Sequence, residues 1–114
     1  MVDGGQKGPD AVLLYVTAAN NDEARLIAST LVSERLVACA NILGGVQSLY
    51  WWDGAVQTDT EVVLVMKGPA DRVDTITDRI KALHSYDCPC VVALPIVGGN
   101  GDYLAWLASQ TLGQ

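Results

Sequence analysis

Apolar and polar positions alternate in two rhythms along the chain. Ala11-Val12-Leu13-Leu14-Tyr15-Val16-Thr17 is a short, nearly unbroken apolar run rich in strand formers, the pattern of a central strand buried on both faces. Asn20-Asn21-Asp22-Glu23 follows it, an Asn cap with acids in the first turn, where the helix dipole favours them. Ala24, Ile27, Ala28 and Leu31 then recur at i, i+3, i+4 and i+7, and predict one apolar helical stripe. From Leu36 to Gly54 the rhythm turns extended, interrupted once by Gly44-Gly45 and closed by Asp53-Gly54. Asp-Gly between apolar runs is a two-residue hairpin signal, because a type I′ turn requires positive φ at both central positions. The returning arm runs from Ala55 to Lys67 through Val62-Val63-Leu64-Val65-Met66.

Past Gly68-Pro69 the helical rhythm returns, starting near Ala70 or Asp71, with Val73, Ile76, Ile80 and Leu83 on the inner stripe. His84-Ser85-Tyr86-Asp87-Cys88-Pro89-Cys90 is a turn-rich connection, and Val91 to Val97 is a fourth strand. Pro95 in it has no ladder donor, which places that end at a sheet edge or bulge. Gly98 to Asp102 form a loop with a helix cap, and Tyr103 to Leu112 a short last helix with Leu104, Leu107 and Ala108 inward. The order β-α-β-β-α-β plus a C-terminal helix predicts an α+β chain, a ferredoxin-like split sandwich with two helices on one face of one sheet. Residues 1–10 are expected to be a flexible tail, without the basic-then-apolar order of a signal peptide, and residues 11–114 a single domain.

The hairpin sets a physical problem. An arm from Val37 to Trp52 at ~3.3 Å per residue would span roughly 50 Å, whereas a compact domain of this size has a radius of gyration of only ~13 Å. The ribbon must bend, at Gly44-Gly45, or project. A lone two-stranded ribbon is barely stable in water, and this one carries Tyr50, Trp51 and Trp52 near its tip. Packing against another copy of the chain is the expected solution.

Composition narrows the function. The chain has 114 residues, half of them hydrophobic, and a formal net charge of −6, with a mean hydropathy of +0.24. Seven Lys and Arg without a cluster argue against a nucleic-acid partner, whose phosphates need neutralising, and against an anionic membrane surface. No apolar run is long enough to cross a bilayer. Three cysteines, an odd count, fit reduced thiols in a cytoplasmic protein better than a disulfide framework.

Four stretches then carry a family resemblance. Arg35-Leu36-Val37-Ala38-Cys39-Ala40-Asn41, Ser48-Leu49-Tyr50-Trp51-Trp52-Asp53-Gly54, Lys81-Ala82-Leu83-His84 and Gly101-Asp102-Tyr103-Leu104-Ala105-Trp106-Leu107 together resemble the CutA divalent-cation tolerance family, over about Ala11 to Leu107. The resemblance implies a ferredoxin-like protomer in a tight homotrimer joined through long hairpins, an architecture like that of PII signalling proteins. It also implies weak binding of copper or other divalent metals and a part in metal-ion tolerance. The family pattern His-Pro-Tyr-Glu-x-Pro-Glu appears here as His84-Ser85-Tyr86-Asp87-Cys88-Pro89-Cys90, with Cys90 in place of a Glu. Some members carry a strand Cys and an additional His as copper ligands. Val16 and Leu83 stand at those positions, so only His84 carries over.

The chemistry-bearing residues fall into three groups. His84, Cys88 and Cys90 are the candidate metal ligands, since imidazole and thiolate suit copper and soft sulfur selects Cu(I). Structural cysteines are the favoured alternative, because the spacing is not a zinc pattern and a fourth ligand is missing. Trp52, Glu61, Lys67, Tyr86 and Tyr103 are candidates for a cleft that takes a ligand, or else for an internal polar cluster that fixes subunit register. Tyr50, Trp51, Trp52 and Cys39 are candidate interface residues. No nucleophile elbow, phosphate loop or His-Glu-x-x-His is present, so a non-enzymatic protein without an obligatory cofactor is expected.

Overall fold

The computed structural model describes residues 10–111. All of the expected tail except Asp10, and Leu112 at the other end, lie outside the described residues. The elements are β1 (Ala11–Ala18), α1 (Asn21–Ser33), β2 (Cys39–Trp52), β3 (Ala55–Pro69), a 3-10 turn (Ala70–Arg72), α2 (Val73–Leu83), β4 (Val91–Pro95) and α3 (Gly101–Gln110). The strands form one sheet in the order β2-β3-β1-β4, antiparallel at every pairing. This is the ferredoxin-like order the apolar rhythm predicts.

Register explains the core. Leu14 pairs with Met66, Val16 with Leu64 and Ala18 with Val62, so these side chains share one face. They meet Ala24, Ile27, Ala28 and Leu31 of α1 and Ile76 and Ile80 of α2 in a single buried cluster. Asn20 caps α1, its side chain accepting from the Glu23 N–H at 2.9 Å. Across the helix pair Arg79 grips Glu34 with two nitrogens, at 2.9 and 2.7 Å. The hydrogen bond to Arg79 holds the Glu34 carboxyl below its ordinary range against a small opposing effect of burial.

The expectation for β1 needs correction. Only Val12, Leu14, Val16 and Ala18 are buried, while Tyr15 on the other face is 38% exposed. Both helices of the core cover the same side, so the opposite side keeps open apolar residues that include Val92, Leu94 and Leu43. In α3 only Leu107 is buried, with Leu104 half-buried and Ala108 exposed. The helix begins at Gly101, where the Asn100 side chain accepts from the Asp102 N–H. Pro95 sits on the edge strand, as its missing donor requires.

The ribbon projects. Residues 62–69 of β3 pair with β1, but residues 55–61 pair only with β2. The molecule is 51 Å long and 30 by 23 Å across, with a radius of gyration of 15.5 Å. Gly44 and Gly45 face the single residue Val62 in a bulge between Leu43 and Val46, with Gly45 at φ 74°, the left-handed conformation a side chain resists. At the tip Asp53 (φ 55°) and Gly54 (φ 78°) make the turn with positive φ at both positions.

Candidate functional site

The segment from His84 to Cys90 has no regular secondary structure, yet it is held from three sides. The Ser85 N–H donates to Glu23 Oε1 at 2.7 Å, while Glu23 Oε2 accepts from the Ala19 N–H at 2.8 Å. Burial alone would raise the Glu23 carboxyl, but the hydrogen bonds from Ala19 and Ser85 outweigh it and hold it below the ordinary range. Tyr86 reaches Glu61 on β3, its phenol donating to Oε2 at 2.8 Å. Burial first, then the bond to Glu61 and that residue's charge, push the phenol well above its usual value.

His84 is the third bracket. Its Nδ1 accepts from the Tyr86 N–H at 3.1 Å, and its Nε2 lies 2.7 Å from the Thr17 carbonyl oxygen. A carbonyl can only accept, so the ring must carry its hydrogen on Nε2 and its lone pair on Nδ1. The side chain is 0% exposed, and its ring lies 4.6 Å from that of Tyr86. Both nitrogens are engaged. The sequence-derived ligand set of His84, Cys88 and Cys90 is therefore not assembled around one point, and among the described residues no three His, Cys, Asp or Glu side chains are grouped to hold a metal ion. Cys88 and Cys90 are free, exposed thiols. Burial, then the charge of Glu61, raise the Cys90 thiol, so an incoming soft metal has to displace its proton.

These brackets open a cleft of about 650 Å³ between the loop and the ribbon stem. Tyr50, Trp52, Glu61, Tyr86, Asp87, Cys88 and Cys90 line it. Beyond the bulge, Ser48 opposes Asp59, Tyr50 opposes Gln57 and Trp52 opposes Ala55, with Glu61 opposite Val46. Paired residues share a face, which puts Tyr50, Trp52, Asp59 and Glu61 on one side of the ribbon and Leu49, Trp51 and Val56 on the other. Tyr50 donates its phenolic hydrogen to Asp59, and this bond, with burial and the charges of Asp59 and Glu61, raises the phenol above its ordinary value.

The predicted cleft set divides in two. Trp52, Glu61 and Tyr86 line the cleft, but Lys67 and Tyr103 do not. Lys67 is six positions from Glu61 along β3, about 20 Å at strand rise. There it pairs with Cys39, and Lys67 Nζ and Cys39 Sγ approach the Tyr103 hydroxyl at 3.4 and 3.5 Å. This second cluster seats α3 on the sheet. Asp87 lines the cleft as well, outside the predicted set, and Tyr50, predicted for the interface, joins it because the bulge turns it to the face of Glu61.

Comparison with known proteins bears on this geometry. The family described as CutA1 divalent ion tolerance protein matches residues 12–110. The chain belongs to that family. The divalent-cation tolerance protein CutA of Thermus thermophilus is 43% identical over 99 residues, covering 87% of this chain and 96% of its own. The chloroplastic protein CutA 1 of rice is 46% identical over 101 residues, 89% of this chain. This chain spans 57% of the rice protein and 60% of the chloroplastic CutA of Arabidopsis thaliana. The solved T. thermophilus protein superposes with a TM-score of 0.87 at 42% identity, covering 89% of this chain and 98% of that one. CutA1 from rice gives 0.89 at 43%, covering 94% and 98%. These two solved CutA1 proteins share the fold described above.

Proposed function

We propose that the protein is a non-enzymatic, homotrimeric divalent-cation tolerance protein that binds copper or other divalent metal weakly and transiently. The observation that carries this reading is the cleft, along whose walls two free thiols and the Glu61 and Asp87 carboxylates lie without three of them converging on one point, beside a loop fixed by His84. Thiol and carboxylate donors that do not converge suit capture and release, whereas a closed structural site wants about four converging ligands. His84 serves this function by holding the loop. Trimerisation covers the ribbon, with Tyr50, Trp51, Trp52 and Cys39 as its candidate contacts, and sedimentation tests it. Three unpaired thiols favour a reducing compartment such as the cytoplasm, and no helix among the described residues is long and apolar enough to cross a membrane.

Calorimetric titration with Cu(I) and Cu(II) tests the metal reading. The Cys88→Ser/Cys90→Ser double variant is expected to lose most Cu(I) binding; affinity equal to that of the original chain overturns the thiols as ligands. A second reading, a PII-like module sensing a small molecule at the intersubunit cleft, is favoured by the size of the hollow beside the ribbon, which far exceeds that of a metal ion.

A further inference from the structure

Cys88 and Cys90 are the two cysteines that the fold places together. Both are free and exposed, and both face the hollow beside the ribbon. Residues at i and i+2 lie at most about 7 Å apart even at full stretch, and a disulfide spans Cα atoms roughly 4.4–6.8 Å apart. Pro89 between them has no N–H to commit elsewhere, and β4 begins its pairing with β1 only at Val91. Upstream, Ser85 and Tyr86 are tied to Glu23 and Glu61. The two sulfurs thus sit on a short span fastened at both ends. Cys39 is elsewhere, on β2 opposite Lys67, with its sulfur 3.5 Å from the Tyr103 hydroxyl.

The pair is contained in one chain. A neighbouring subunit that engages Tyr50 or Trp52 leaves the spacing of Cys88 and Cys90 as it is, and reaction requires access to one sulfur only. Burial, then the charge of Glu61, raise the Cys90 thiol, and the thiolate is the attacking form. Cys88 is therefore the sulfur that attacks and Cys90 the one that resolves. The resolving step is intramolecular, and proximity offsets the smaller thiolate fraction of Cys90.

We infer that Cys88 and Cys90 form a thiol–disulfide exchange site for low-molecular-weight disulfides, with Cys88 attacking and Cys90 resolving. The Cys88 thiol gives its proton to water and its thiolate attacks one sulfur of the disulfide. A mixed disulfide forms as the original S–S bond breaks, and the leaving thiolate takes up a proton. Deprotonated Cys90 then attacks the Cys88 sulfur, closes the Cys88–Cys90 bond and expels the second small thiol. The two protein thiols are oxidised and the small disulfide is reduced. A ring closed over a single residue is strained, and strained, exposed disulfides are the readily reduced ones, so the site exchanges with a thiol pool rather than stapling the fold. The exchange needs nothing beyond the two thiols and stands apart from the metal reading above.

Bis(2-hydroxyethyl) disulfide, small and uncharged, tests the site when added in excess to the assembled protein with a metal chelator present. Intact mass and peptide mapping read the product, with sedimentation in parallel. The original chain is expected to lose two hydrogens, to carry its disulfide within the Cys88–Cys90 peptide, and to reopen in 2-mercaptoethanol. Cys90→Ser is expected to stop at a stable mixed disulfide on Cys88, and Cys88→Ser to react at least about tenfold more slowly. Cys39→Ser is expected to behave as the original chain does. Thiols that stay unmodified in the assembled protein but react once it is unfolded in urea overturn the site. A mixed disulfide that persists on the original chain, or cross-links between subunits, overturn the pairing. Equal rates for Cys88→Ser and the original chain overturn Cys88 as the attacking sulfur.

Discussion

Tyr86 donates to Glu61 across 2.8 Å, joining the loop after α2 to the last residue of β3 before that strand enters the four-stranded sheet. Among the described residues the bond is the one side-chain hydrogen bond between the loop that carries Cys88 and Cys90 and the ribbon that carries Trp52. Removing the hydroxyl leaves a nearly buried carboxylate oxygen against a phenyl ring. An unsatisfied buried polar group costs about 1–3 kcal/mol. Tyr86→Phe is therefore expected to lower unfolding stability by that amount in a urea titration, with the slope unchanged.

The same pair sets an alkaline limit. The Tyr86 phenol is raised by burial, by its bond to Glu61 and by that carboxylate's charge. A phenol raised in the folded state adds stability that is complete below its unfolded value of about 10 and is lost as pH climbs through the folded value. Glu61→Gln removes the charge, so the last tyrosinate absorbance step should move to lower pH and the alkaline loss of stability should shrink. An unchanged final step would show that Glu61 does not govern Tyr86.

The acid side is governed by Glu23, depressed because its hydrogen bonds from Ala19 and Ser85 outweigh burial. A depressed carboxyl adds stability that is present above its unfolded value of about 4.3 and is lost as pH falls through the folded value. Glu34, lowered by its pairing with Arg79, acts with the same sign. Glu23→Gln should lower stability near neutral pH and flatten its dependence on acid, measured as urea midpoints from about pH 6 to about pH 2.

His84 makes a prediction about structure as well as energy. Its Nε2–H is directed at the Thr17 carbonyl and its side chain is fully buried, so the imidazole N–H signal should be visible and slow to exchange by NMR. His84→Ala forfeits two hydrogen bonds and opens a cavity, and is expected to cost about 2–5 kcal/mol. A fast-exchanging ring N–H would mean that the bracket is not held in solution.

The sequence carried the helix stripes, the hairpin turn and the strand order because each is a local pattern. Ala24, Ile27, Ala28 and Leu31 are buried as their spacing requires. Long-range placement was less legible. Lys67 and Glu61 lie on the same face of β3, but nothing local says that six strand positions separate two clusters rather than span one. His84 looked like a ligand because its type is suited to metals, while the groups that engage it, Thr17 O and Tyr86 N, are backbone atoms without a sequence signature. The left-handed Arg35 (φ 58°) at the end of α1 was also unmarked, since Gly or Asn is the usual sign of that conformation.

The ribbon remains the largest physical demand of the fold. Beyond the bulge it has only its own two strands, and Trp51 is 75% and Trp52 62% exposed. A bare two-stranded ribbon bearing such surface is marginal in water, and register pairs Trp51 with Val56 on the ribbon face opposite Tyr50 and Glu61, where neither Trp51 nor Val56 lines the cleft. Association through that face should therefore be separable from cleft chemistry. Trp51→Ser with Val56→Ser is expected to shift the protein toward monomer in sedimentation at micromolar concentration. The core, built from β1, the sheet-bound part of β3 and the two helices, should keep its native circular dichroism. A variant that sediments like the original chain would place the contact surface elsewhere, on the open sheet face of Tyr15, Val92 and Leu94.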